Sequence, residues 1–194
     1  MDQERRRLLI AEALLDVTRR DGVRGVSVRS VAERAGLSVG SMRNTAASQS
    51  ELVAFAMTVV GERVAARVAT RLDRGLPDDG EARVEALTDL CCEVLPLDED
   101  RRAEAEVWLE LVTAARTDSS LAGVSATAHD GLRRLARTVV AARGVTDSEA
   151  AERGARELHA LLDGLALHLV LHPADRDVET VRAVVRDRVR PVAG

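Results

Sequence analysis

Ser27-Val28-Arg29-Ser30-Val31-Ala32-Glu33-Arg34-Ala35-Gly36-Leu37-Ser38-Val39-Gly40-Ser41-Met42 reads as two short helices joined by a tight turn. Ser27 is placed to cap the first, because its hydroxyl can accept an amide that has no partner at a helix start. Val28, Val31, Ala32 and Ala35 then recur at helical spacing. Gly36 ends that helix where a positive φ is needed, and Ser38 caps a second helix running to about Thr45. Ala32 is small where the two helices must cross. Val31, Ala35, Leu37 and Met42 are apolar at the spacing that seals the pair against a preceding helix. That helix is present, since Ile10, Ala13, Leu14 and Val17 form one stripe ending at Asp21-Gly22. Three short helices with such a turn have the pattern of a helix-turn-helix.

The rest of the chain keeps the helical period. Ser48-Gln49-Ser50-Glu51 reads as a capping box opening a long helix to about Arg71. Gly75 to Gly80 is a turn. Further helices are expected near 81–95, 98–117, 119–143, 147–172 and 175–190, broken at Pro96, Asp118-Ser119, Gly144 and Pro173. No strand alternation, repeat or low-complexity tract appears, so the chain is expected to be all-α.

Its 194 residues are 46% hydrophobic and 31% charged, enough for a core and too well mixed for a disordered tail. Phe55 and Trp108 are the only aromatics, which excludes a stacking platform for single strands and disfavours a β-sandwich. All 28 basic residues are arginine. Charge is uneven: residues 1–50 hold nine arginines against six acids, while 51–194 hold nineteen against twenty-six. A basic head on an acidic body is the asymmetry expected when only the head meets phosphate. Cys91 and Cys92 are adjacent and read as small buried residues rather than a disulfide or metal pair. The apolar run behind Arg5-Arg6-Arg7 is broken by Glu12 and Asp16, so no signal peptide or membrane span is read, and a cytoplasmic protein is expected. His168 and His172 have metal-ligand spacing but no third ligand in sequence, so neither metal nor cofactor is expected. No phosphate loop, nucleophile elbow or acid–base pair marks an enzyme.

Residues 26–43, with Ser48 to Leu52, resemble the TetR family of bacterial regulators, whose members read much like hTVRxIAExAGVSxGTLYxHFxSKxxL. The likeness covers about residues 7–60. Leu97 to Glu104, Trp108-Leu109 and Leu161 to His168 resemble the regulatory region of the BetI-like subgroup. The resemblance implies an N-terminal three-helix DNA-binding domain over residues 1–50 and a helical ligand-binding and dimerisation domain over 51–194. Where members carry Tyr, His or Tyr, then Phe, this chain has Arg43, Asn44, Thr45 and Ala46. Gln49 stands in place of a usual Lys. These departures remove packing and phosphate donors, and weaker or altered DNA binding is expected from them.

With the third helix in a major groove, Ser38, Val39, Gly40, Ser41 and Asn44 face the bases. Val39 suits a thymine methyl and Asn44 an adenine edge. Arg29 resembles a position that meets guanine or phosphate. Ser27, Arg43, Ser48 and Gln49 are placed for backbone phosphates, and Arg5 to Arg7 for an arm reaching the DNA. Expected pocket residues are Met57, Val60, Val64, Leu87, Cys91, Trp108, Leu111, Val112, Arg116 and His129, most of which suit a core as well. Leu158, Leu161, Leu162, Leu165, His168 and Leu169, with Val181 and Val185, are expected to face a second copy. The run Leu165 to Leu171 is too apolar for one face to absorb. The function expected is a ligand-released, dimeric operator-binding repressor, with duplex DNA and an unidentified small molecule as partners. The alternative is a dimeric binding module of the same fold that has lost DNA binding.

Overall fold

The computed structural model describes residues 3–78, 80–175 and 177–190, and these form nine α-helices with no strand among them. They are α1 (Gln3–Asp21), α2 (Val28–Arg34), α3 (Val39–Met42), α4 (Gln49–Asp73), α5 (Gly80–Cys92), α6 (Glu99–Ala114), α7 (Ala122–Ala142), α8 (Ser148–Leu171) and α9 (Val178–Val189). Each expected helix is present. The main difference is α3, expected to about Thr45 but ending at Met42. Beyond it the amides of Asn44 and Thr45 reach back only three residues, to Ser41 (3.3 Å) and Met42 (2.8 Å), which tightens the chain out of the α-helical pattern. Asp79, in the turn ahead of α5, and Arg176, ahead of α9, lie outside the described residues.

Helix starts are set by aspartates as well as serines. Asp98 accepts the Arg101 amide at 2.8 Å, and Asp147 the Ala150 amide at 2.7 Å. Both fill donors left open at a helix start and oppose the positive end of the helix dipole. At α4, Ser48 accepts the Glu51 amide at 3.1 Å, but Glu51 reaches past the cap to the Ala47 amide at 2.6 Å. The expected box is therefore shifted by one residue on its return arm.

The chain divides into two compact units, residues 1–62 with 98–128 and residues 63–97 with 129–194. These are units of packing; the functional division at residue 50 belongs to the proposal below. In the first unit Ile10, Leu14, Val31, Met42, Leu52 and Leu111 are all but sealed from solvent. There Arg19 of α1 meets Asp100 of α6 at 2.8 Å, and Arg102 donates to the Arg19 carbonyl at 3.2 Å.

In the second unit Leu87, Leu90, Cys91, Val139, Leu158, Leu162, Val185 and Val189 form the core. Burial pushes the Cys91 thiol up to about 12, so it stays a neutral apolar group. Ion pairs border this core. Arg182 of α9 reaches Asp89 of α5 at 2.7 Å, and Arg186 reaches Glu85 at 2.9 Å. Arg67 and Arg71 of α4 both hold the buried carboxylate of Glu93.

Glu152 of α8 receives Arg133 and Arg137 of α7, whose hydrogen bonds hold its carboxyl down at about 2. A carboxyl depressed on folding stabilises the native state above its unfolded value and loses that effect as pH falls through the folded one. Stability is therefore expected to fall from about pH 4.5 toward pH 2. Urea titrations across that window should show a shallower pH dependence for Glu152→Gln.

Candidate nucleic-acid interface

The site is built from the turn outward. The hydroxyl of Ser27 accepts the Ser30 amide at 3.0 Å, and that of Ser30 accepts the Ser27 amide at 2.9 Å, so α2 begins with two donors satisfied reciprocally. At its end, Gly36 takes φ of +65°. The Leu37 amide bonds the Ala32 carbonyl at 2.8 Å and the Gly36 amide bonds that of Glu33 at 3.1 Å. This pair of bonds is the Schellman arrangement, which needs a left-handed residue where glycine alone carries no Cβ penalty. Ser38 then caps α3 by accepting the Ser41 amide at 3.0 Å.

The apolar side of the unit is closed. Val31, Ala32, Ala35, Met42 and Ala46 are buried, and Leu37 is half-buried. Ala46 stands where the related pattern has Phe, and its methyl is wholly enclosed. The opposite side is open. Arg29, Ser38, Gly40, Arg43, Asn44, Ser48 and Gln49 are exposed, and Val39 remains 40% exposed despite being apolar. Ser27 and Ser41 are half-buried. The residues singled out for DNA therefore lie together along one stretch of chain, with their side chains mostly in solvent.

Several expectations need correction. The arginine triplet is no free arm, because α1 already starts at Gln3. Arg6 donates to the Ser41 carbonyl near the end of α3, placing its charge against the negative end of that short helix. Arg7 bonds Glu62 at 2.7 Å and lies 5.9 Å from the centre of the Phe55 ring. Gln49 turns its amide to the Val26 carbonyl at 3.1 Å, bracing the entry to α2. Arg34 is paired with Asp16 of α1, whose carboxyl that bond lowers. The bracing by Arg6 carries no local sequence signal, since its partner lies 35 positions away.

The expected pocket residues fall in both units. In the first, Met57, Val60 and Leu111 are buried, Trp108 and Val112 half-buried, and Arg116 exposed. In the second, Leu87 and Cys91 are buried, Val64 is half-buried, and His129 is exposed with its ring 4.6 Å from that of His159. His159 is buried and contacts Asp163 at 3.2 Å; burial lowers the histidine and raises the carboxyl. Neither partner was singled out from sequence, because an internal histidine on an apolar helix carries no mark of its contact.

The residues expected to face a second copy divide by their burial. Leu158, Leu162, Leu169, Val181 and Val185 are enclosed by their own chain and present nothing to a partner. Leu161 and Leu165 are half-buried and His168 exposed. Beside them stand Leu167, Leu171, Val178 and Val184, which are large, apolar and exposed. His168 meets Asp175 at 3.1 Å, with the His172 ring 4.9 Å from its own. Among the described residues no three ligating side chains converge to hold a metal, and no helix is long and apolar enough to cross a membrane.

A capped, sealed helix-turn-helix ahead of a helical body defines a class of DNA-associated regulators, and comparison with known proteins places the chain within it. Residues 83–193 match the family described as BetI-type transcriptional repressor, C-terminal. The HTH-type transcriptional regulator PksA of Bacillus subtilis (strain 168) is 33% identical over 99% of this chain and 92% of its own length. A transcriptional regulator from Rhodococcus sp. Rha1 is similar in structure, with TM-score 0.77 and 30% identity over 94% of this chain and 93% of that one. The multidrug binding protein EbrR, solved in complex with imidazole, gives TM-score 0.66 and 30% identity over 97% of both chains. The chain belongs to the TetR family of transcriptional regulators, which are not enzymes.

The Arg6 contact is a half-buried hydrogen bond from a charged donor, worth about 1 kcal/mol after allowance for solvent. Arg6→Gln is expected to speed hydrogen exchange of the amides at 43–46 about fivefold. Exchange within α9 should be unchanged in the same experiment.

Proposed function

We propose that this regulator is a homodimeric repressor that binds a near-palindromic operator and is released by a small molecule. The observation that carries the reading is the two-sidedness of the helix-turn-helix. Met42 and Ala46 lock α3 from beneath, while Val39, Gly40, Arg43 and Asn44 stay open above. Such a rod presents one apolar contact, one amide and one guanidinium to a groove, with Gly40 letting the backbone approach. Arg29, Ser27, Ser38, Ser41 and Ser48 border it as phosphate or base contacts.

A single four-residue helix reads few bases, so two copies are needed for specificity, with recognition helices about 34–36 Å apart. The exposed apolar groups Leu167, Leu171, Val178 and Val184, with Leu161 and Leu165, supply a face for the second copy. A small-molecule effector is supported by EbrR, a multidrug binding protein whose structures include complexes with imidazole and ethidium. Effector binding in the body, the domain from residue 51 on, would act through α4 on the spacing of the recognition helices. Driving such an equilibrium from 99:1 to 1:99 takes about 5.5 kcal/mol of preference for one state. The shortness of α3 favours one alternative, a dimeric ligand-binding module that has given up DNA.

Fluorescence anisotropy with DNA from upstream of the protein's own gene separates the two readings. Saturable binding at low salt is expected, and its absence would leave the module reading. Arg43→Ala should weaken every sequence alike and lower the salt slope by about 0.9, as for one lost phosphate contact. Asn44→Ala should lose about 1–3 kcal/mol of discrimination at one base pair. Leu171→Arg, in sedimentation, should shift the dimer toward monomer.

A further inference from the structure

In the second unit, the seam between α7 and α8 has two ends of different chemistry. At one end Val140 stands 3.5 Å from where a side chain on Gly154 would begin. There Glu152 accepts from Arg133 at 2.5 Å and from Arg137 at 2.9 Å. Its carboxyl, held at about 2, stays ionised through the neutral and mildly acid range, so this end keeps its charges. At the other end His129 and His159 meet, ring centres 4.6 Å apart and planes tilted by 45°. His129 and Arg133 are four residues apart on α7, and His159 and Asp163 four apart on α8, so each pair shares a helix face.

His159 is buried, whereas the other three histidines are exposed. Its Nε2 lies 3.2 Å from Oδ2 of Asp163, but that carboxylate is 41% exposed and shares its field with water. From α7 it is faced by His129 and Arg133. Arg133 carries a fixed positive charge, and its Nε is sealed from solvent with no acceptor among the described residues. His129 adds a second positive charge when protonated. A proton on His159 therefore enters a site screened from water, with one half-exposed anion to meet it and two cationic neighbours to oppose it. Burial, countered by Asp163 and reinforced by His129 and Arg133, lowers the histidine from its ordinary value.

We propose that this end of the seam is a proton-operated latch, closed while His159 is neutral and opened in mild acid, when protonated His159 is repelled by His129 and Arg133 and α8 parts from α7. A histidine lowered on folding favours the native state while neutral. That contribution is complete above the unfolded value of about 6.5 and is lost as pH falls through the lower folded one. Asp163, raised by burial, opposes the loss when it takes up a proton, and its replacement sharpens the latch. The latch requires neither DNA nor a second copy, and it stands apart from the operator reading.

The test is an NMR titration of the four imidazoles of the full chain, joined to amide hydrogen exchange in neutral and mildly acid buffer. His159 should titrate below the ordinary value of about 6.5. After correction for intrinsic rates, amides of residues 155–163 should exchange more than about threefold faster near pH 5 than near pH 7.5. Those of α1, in the other unit, should not change. His159→Gln, neutral at both values, should abolish the difference. Asp163→Asn should move the His159 titration lower and His129→Gln should move it higher, shifts that a purely structural role would not give. Titration of wild-type His159 at or above about 6.5, unchanged protection of α8 in acid, or equal opening of α1 would each overturn the latch. Survival of the difference in His159→Gln would overturn it as well, and the wild-type measurements decide the matter should that variant fail to fold.

Discussion

A chain that must present a polar rod to solvent while sealing the rod's other side needs an abrupt turn between two short helices. Gly36 makes that turn at φ of +65°, and the amides of Gly36 and Leu37 close back on the last turn of α2. A side chain at this position would meet no neighbour, so the constraint is the backbone angle itself and not space. Everything the head presents follows from it. Ser38 lands where it can cap α3, Met42 points inward, and Val39, Arg43 and Asn44 are left outside.

The recognition helix is held by means that the aromatic residues of the related pattern would otherwise supply. Ala46 fills the enclosed position with a methyl group alone. Arg6 secures the end of α3 through the Ser41 carbonyl, and Gln49 secures the loop ahead of α2 through the Val26 carbonyl. With only a methyl group at that position, hydrogen bonds from long polar side chains reach the ends of the motif instead. Such bonds are directional and carry little apolar burial, so they position the end of α3 more than they stabilise it.

The body uses arginine in a different manner. Carboxylates at helix borders each draw more than one guanidinium: Glu152 between α7 and α8, Glu93 beside α4, and Glu85 between α5 and α9. A planar fork can satisfy two acceptors at once, which an ammonium group does less well. Arg83 and Arg143, bound to carbonyls alone, stand apart from this scheme.

Helices, turns and caps were legible because they depend on neighbours a few residues apart. Ser27, Gly36, Ser38 and the stripes of α1 and α2 announce themselves at that range, and with them the fold class and the row of residues left exposed along the turn and α3. Contacts between distant segments were not legible. The spacing of Leu158, Leu162, Leu169, Val181 and Val185 shows an apolar stripe but cannot say whether its own chain or a second copy covers it, and the structure assigns it to the chain itself. Likewise Arg6 and Arg7 read as a basic arm until α1 brought one to Ser41 and the other to Glu62. Local sequence determined which elements form, since capping and periodicity act within a turn or two. Which faces are buried and which charges are paired was decided by tertiary packing alone, because long side chains choose partners by proximity in space.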